Sequence, residues 1–273
     1  VPNLYADVAM FTRRYVHDSA LVATDAAEIL RVLNDGARRV DDYCDRHFYS
    51  ELATHVYDGN GKSTLWLPDD LLTVTTLKAD DDGDGTYEIS LTANTDYWLW
   101  PDNDTPKVRV DINPESTLIS SWPVGRRRVQ IVGEFGYTNT TELVASVTTE
   151  VLDASETGVD VTAGTDFAVG QTILVDSEQM YISSITTNTL TVVRGVNGTT
   201  AATHITSSVI RRYVYEEAVV GAALMWAGRL WKRRETADAT TIVAPAIGTL
   251  EIHRGLDPDV RQALDPYRAR VLV

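Results

Sequence analysis

The sequence predicts an α+β protein. Helices open and close the chain, an antiparallel β region follows the first helix, and a small all-β sandwich or barrel is inserted before a long central helix. Three observations carry this reading. Apolar residues recur at helical spacing over 25–48 and 215–234. Between Leu52 and Tyr137 the period drops to two. From about 140 to 212 the composition shifts to Thr, Val, Ser and Gly with few aromatics. The domains read as 1–139 (first helix plus β region), 140–212 (inserted module) and 213–273 (closing helices and an extended loop).

In chain order, YADVAMFTRRY is a short amphipathic piece before a polar turn near His17–Ser19. The first long helix is expected from Asp25 to about Phe48, with Asp25 as N-cap and Glu28 completing a capping box. Its apolar face is Ile29, Leu33, Gly36, Val40 and Tyr43, and its charged run Arg31 to Arg46 reads as a solvated face. THVYDGNGKSTLWLP reads as strand, glycine turn, strand. DYWLW alternates Tyr97 and Leu99 against Trp98 and Trp100. The module has short strands with turns at Thr187-Asn188 and Val196–Gly198.

The stretch Tyr215–Arg234 is a helix with almost no polar side. One stripe runs Val219, Ala223, Trp226, Leu230; a second runs Val220, Leu224, Ala227, Trp231. Two stripes need two partners. Either the helix is the centre of one subunit's core, or it packs inward on its own subunit and sideways on a neighbour. The loop of residues 235–255 contains a possible short hairpin, and Asp257 or Pro258 starts a closing helix.

Composition bounds the function. At 44% hydrophobic the 273-residue chain has the make-up of a globular protein. A formal charge of −15 argues against a basic grip on nucleic acid and is compatible with a surface that DNA slides past. With Cys44 as the only cysteine there is no intrachain disulfide, which suits a reducing cytoplasm, and the thiol reads as buried and structural. No signal peptide and no membrane-spanning run is expected.

Few residues suggest chemistry, and the chain is not expected to be an enzyme. Histidines 17, 47, 55, 204 and 253 show no helical metal pair. GNGKST lacks the earlier glycine of a phosphate loop, since that position is Val56, and a strand follows it. In DDDGDG, Asp80, Asp82 and Asp84 with Gly85 match the opening of a calcium loop. The twelfth position, however, is Leu91 rather than Glu, and the flanks are strands, so a solvated hairpin turn is preferred and no cofactor is expected beyond that calcium candidate.

Four stretches together resemble the head–tail connector (adaptor) proteins of tailed bacteriophages. They are DAAEILRVLNDGARRVDDYCDRHFY; LWLPDDLLTVTTLKADDDGDGTYE with DYWLWP; EEAVVGAALMWAGRLWKRR; and LDPDVRQALDPYRARV. ILVDSEQMYI, TLTVVRG and NGTTAATH resemble a small β module recurring in phage virion proteins, here an insertion and an outward-facing decoration. The resemblance implies a virion neck protein assembled in the host cytoplasm. It would form a ring, usually dodecameric, beneath the portal, receive the stopper or tail, and extend a channel for double-stranded DNA without sequence-specific binding. Such a ring needs a heterologous interface, for which Val220, Leu224 and Trp231 are the candidates. Asp257, Arg261, Tyr267, Arg268 and Arg270 are the candidates for portal contact. The alternatives are a stopper or tail-completion protein, expected to be mainly β, and a calcium-dependent carbohydrate-binding or adhesion module.

Overall fold

The computed structural model describes residues 2–16, 23–236, 241–244, 248–251 and 257–269. Two helices come first, α1 (Val8–Tyr15) and α2 (Ala23–Cys44). Six strands follow: β1 (Glu51–Gly59), β2 (Thr64–Ala79), β3 (Ile89–Leu91), β4 (Tyr97–Trp100), β5 (Lys107–Ile112) and β6 (Gly125–Phe135). Six more are β7 (Thr141–Val147), β8 (Gly158–Asp160), β9 (Thr172–Val175), β10 (Glu178–Thr186), β11 (Thr189–Val193) and β12 (Val209–Tyr213). The chain ends with α3 (Glu217–Thr236), the hairpin β13 (Thr241–Ala244) and β14 (Gly248–Glu251), and α4 (Pro258–Leu264). The protein is therefore α+β with antiparallel sheets. It divides into two compact units. One comprises Val1–Asp45, Thr140–Val196 and Thr200–Ala269; the other is built on Arg46–Asn139 with Asn197–Thr199.

In the first unit α2 and α3 pack closely because a glycine stands at the contact. A Cβ on Gly36 would lie 2.7 Å from the Ala223 carbonyl oxygen. The α2 face Ile29, Leu33, Val40 is buried, as its spacing requires. The helix begins at Ala23, so Asp25 lies in its first turn and is not the N-cap. There its carboxylate still faces the positive end of the helix dipole. The helix ends at Cys44, short of Phe48, where Asp45 takes a left-handed φ of 53°. On α1, Asp7 caps the helix by accepting from the Met10 N–H at 2.8 Å. Its other carboxylate oxygen accepts from Gln171 Nε2 at 2.8 Å.

Most of both stripes of α3 is buried within the chain, with Val220 and Leu230 only partly so. Val219 and Ala223 are buried, and on the second stripe so are Leu224, Ala227 and Trp231. Trp231 meets Phe11 of α1 edge-on, with ring centroids 5.8 Å apart. Gly228 leaves room for Tyr15, whose ring carbon would lie 2.4 Å from a Cβ there. Leu224 and Trp231, two of the residues expected at a subunit interface, are thus buried within this chain, Trp231 against α1. Tyr181 and Val196, from the β-rich segment, join the same core as Leu4, Phe11, Ile29 and Leu33. That segment is therefore more than an outward decoration.

The six strands β7–β12 form a sheet in the order β7-β12-β9-β10-β11-β8. Its two edges meet through the Thr148–Val161 bridge, with Thr149 N donating to Asp160 O at 2.8 Å and Thr162 N to Val147 O at 3.1 Å. The strands thus close on themselves and leave no long open edge. Leu152, Ile173, Val175, Met180, Ile182, Leu190 and Ile210 fill the interior. Thr141 pairs with Tyr213, so the chain enters and leaves this sheet at one place.

The second unit is a sheet in the order β1-β6-β2-β5-β4, with β3 also on β2. The long β2 serves two partners. Thr64–Trp66 pair with β5, and Leu71–Ala79 pair with β6, with an irregularity between them. Leu65, Leu67, Leu71, Leu77, Val110, Trp122, Ile131 and Phe135 form its core. The alternation along DYWLW is realised: Tyr97 points inward, while Trp98 and Trp100 stay exposed.

Candidate functional site

Three surfaces and one buried cluster hold the residues of interest. On the outer face of the second unit, register places Arg109 of β5 opposite both Trp100 of β4 and Trp66 of β2. The guanidinium lies 5.0 Å from the Trp66 ring centroid and 4.7 Å from that of Trp100. Asp111 holds it in place, accepting from Nε at 2.9 Å and pairing with Nη2 at 2.8 Å. Trp66, Trp98 and Trp100 are each about two-fifths exposed (42%, 43% and 39%). A groove of about 640 Å³ runs beside them, with Asn94, Asp102 and Lys107 among its walls. A row of two tryptophans and an arginine has the composition of a protein-binding hot spot. The row depends on pairing β5 with both its neighbour in sequence, β4, and the distant β2.

The acidic turn between β2 and β3 is organised around Asp80. That carboxylate accepts from Gly83 N at 2.5 Å and Gly85 N at 3.1 Å, and pairs with Arg128 at 3.1 Å. Burial alone would raise the Asp80 pKa, but the two backbone N–H groups and Arg128 outweigh it and hold the carboxyl below its usual range. Asp82 accepts from Asp84 N, and Asp84 accepts from Thr86 N. Asp80, Asp82 and Glu88 bring carboxylate oxygens within 4.8 Å of one another. Of the predicted ligands, Asp84 is not in that group; its place is taken by Glu88. The Asp80 oxygens have backbone and guanidinium partners, and Arg128 places a positive charge beside this group.

At the chain's end Asp257 is the N-cap of α4, accepting from Asp259 N at 3.0 Å, and lies 3.8 Å from Arg229. Arg261 is exposed. Arg268 lies over the Tyr43 ring at 5.4 Å, and Tyr43 donates to Asp265. Tyr267 is half-buried, and burial followed by the charge of Glu216 raises its pKa. Arg270 falls outside the described residues. Val220, half-buried, lines a groove of about 620 Å³ with Leu4, Met10, Arg13, Arg14 and Gly221. Of the three residues expected at a subunit interface, it alone is not buried.

One constellation had no counterpart in the sequence reading. Glu178 is fully buried. It accepts from Arg194 Nε at 2.7 Å and Nη2 at 2.8 Å, from Gly195 N and Ala202 N at 2.9 Å each, and meets His204 Nε2 at 2.9 Å. The other His204 nitrogen lies 2.7 Å from Asp176. Burial opposes ionisation of Glu178, yet Arg194, His204 and the two N–H groups bring its pKa down to about 2. The arrangement pins the 194–204 loop to β10 and offers no open position to a substrate. The signal in the sequence was an acid, an arginine and a histidine in one short β segment.

Among the described residues no helix is long and apolar enough to cross a membrane. No protein-family model matches the chain, and no curated protein matches it. Among solved structures it is similar to a chain of one described as the neck of an empty GTA particle computed with C6 symmetry. The identity is 14% and the TM-score 0.47, over 98% of this chain and 92% of that one.

Proposed function

We propose that this chain is a structural protein of a phage-like virion: a head–tail connector whose copies form a ring beneath the portal, receive the stopper or tail and continue the DNA channel. The observation that carries the reading is the arrangement of the four resembling stretches. The helices from both ends of the sequence pack as α2, α3 and α4, with Ala269 N donating to Cys44 O at 2.7 Å. The β region between them forms its own unit, and the extra module joins by paired strands at Thr141 and Tyr213. The exposed Trp66–Arg109–Trp100 row suits a protein that works inside an assembly. The charge of −15 suits a channel that passes DNA without holding it. On this reading α4 and Arg268 approach the portal, no catalysis is performed, and the acidic turn needs no calcium.

Imaging of purified protein by negative stain, with a binding assay on isolated portal, tests the proposal. Rings, or capture on the portal, are expected; a monomer that ignores the portal sinks it. A second reading, a calcium-dependent carbohydrate-binding module, draws on the tryptophan face alone. It requires glycan retention abolished by a chelator, and a melting temperature raised by millimolar calcium. The connector reading expects neither.

A further inference from the structure

The two units each carry a cluster of exposed charge, and the two clusters are opposite in sign. On the first unit, Arg13 and Arg14 close α1, and Lys232 and Arg233 lie in the last turns of α3. All four are exposed. The two groups converge on Tyr15, whose ring has the Arg14 guanidinium at 5.6 Å and the Lys232 ammonium at 5.9 Å. Among the described residues neither Arg13, Arg14 nor Arg233 has a carboxylate within 4.0 Å. In a chain of net charge −15 such a concentration of cations is unusual. Arg13 and Arg14 also wall the groove that contains Met10, Val220 and Gly221. Met10 is 39% exposed, and a Cβ on Gly221 would meet nothing within 4 Å. The acids in this groove are spoken for or set apart: Glu142 pairs with Arg212, Asp7 caps α1, Asp166 accepts from Ser146 Oγ at 2.7 Å, and Glu217 opens α3.

On the second unit, the turn between β2 and β3 carries Asp81, Asp82, Asp84 and Glu88, all exposed. Arg128 is committed to Asp80, and none of these four has a basic partner within 4.0 Å among the described residues. We propose that the α1 edge, with Arg13, Arg14 and Arg233 beside the Met10–Val220 groove, is the docking surface for a second copy of this chain, which presents its acidic β2–β3 turn. A closed ring requires one face of each subunit to meet a different face of the next, and these two faces are opposite in charge. Exposed pairs are individually weak and screened by salt. They fix orientation and register, while the exposed apolar surface of Met10 and Val220 supplies contact area. The inference rests on the ring reading.

The test is association measured by sedimentation velocity at low and high salt. Four proteins are compared: the wild type, R13E/R14E, D81K/E88K, and one chain carrying all four changes. Asp81 and Glu88 are chosen because the backbone hydrogen bonds that shape the turn are accepted by Asp80, Asp82 and Asp84. The wild type should assemble and weaken with salt. Each reversed variant should lose about tenfold or more in association constant, and the fourfold variant should recover it. Reversed variants that assemble like the wild type would overturn the docking surface and leave the ring intact. A wild type that stays monomeric at every concentration would overturn this inference, and the ring reading with it if that monomer also ignores isolated portal. If R13E/R14E assembles normally but no longer retains duplex DNA, the cluster is a phosphate site and the proposal fails.

Discussion

Glu178 shows what a single residue does here. Its carboxylate gathers five donors, and among the described residues Arg194, almost fully buried, has no other carboxylate within 4.0 Å. Glu178→Ala would strand that guanidinium, and breaking a buried pair from one side costs about 3–5 kcal/mol. Arg31→Ala removes an exposed helix pair with Glu28 and Asp35 and should cost no more than about 0.5 kcal/mol. Urea denaturation of both variants checks the contrast. Because the folded pKa of Glu178 is depressed, its contribution is present above its ordinary value of 4.5 and is lost as pH falls through about 2. Asp41 behaves in the opposite sense. Burial pushes its pKa up to about 7 despite Arg38 and a hydrogen bond from Tyr5. Its protonated form is favoured by folding, so that stability is complete below 3.8 and is lost as pH rises through about 7. Asp70, raised to about 6 mainly by burial, has the same sign. The denaturation midpoint should therefore fall from pH 5 to pH 8, and Asp41→Asn should flatten part of that fall. An unchanged slope would remove Asp41 from the account. None of this was readable in the sequence, because one acid among many looks alike until burial and partners are known.

At the scale of elements, the sequence was most informative where periodicity is local. The two stripes of α3, the buried face of α2 and the alternation of DYWLW all follow from spacing. What covers each stripe does not. The second stripe meets α1, an eight-residue helix whose weak local signal gave no hint that Phe11 would reach Trp231. Likewise Trp66, Arg109 and Trp100 become a row only when β2, β5 and β4 pair. Glycines in the helix pair give a sharper test. Gly36→Ala should destabilise despite the helix preference for alanine of about 1 kcal/mol, because its Cβ meets the Ala223 backbone at 2.7 Å and overpacking costs about 1–3 kcal/mol. Gly221→Ala places the same methyl in open space and should stabilise by about 0.5–1 kcal/mol. Thermal melts of the two variants should move in opposite directions.

For the whole molecule, the question is whether the segment from β7 to β12 is a passenger. Its closed sheet, its own apolar interior and the adjacent entry and exit strands argue that residues 140–213 fold alone. Yet the dependence is not mutual. Val8 N donates to Val169 O at 3.1 Å, Gln171 holds the Asp7 cap, and Tyr181 and Val196 sit among the helical core residues. A chain in which 141–213 is replaced by a short glycine linker would uncover Leu4 and Phe11 and release the α1 cap, losing several of the contacts that keep α1 over Trp231. We expect the isolated 140–213 fragment to show a cooperative melt and dispersed amide resonances. The deleted chain should expose hydrophobic surface, bind a hydrophobic dye and lose the near-ultraviolet signal of Trp231. Should the deleted chain melt like the parent, the module would be the outward decoration that the resemblance implied, and α1 would have to be held by α2 and α3 alone.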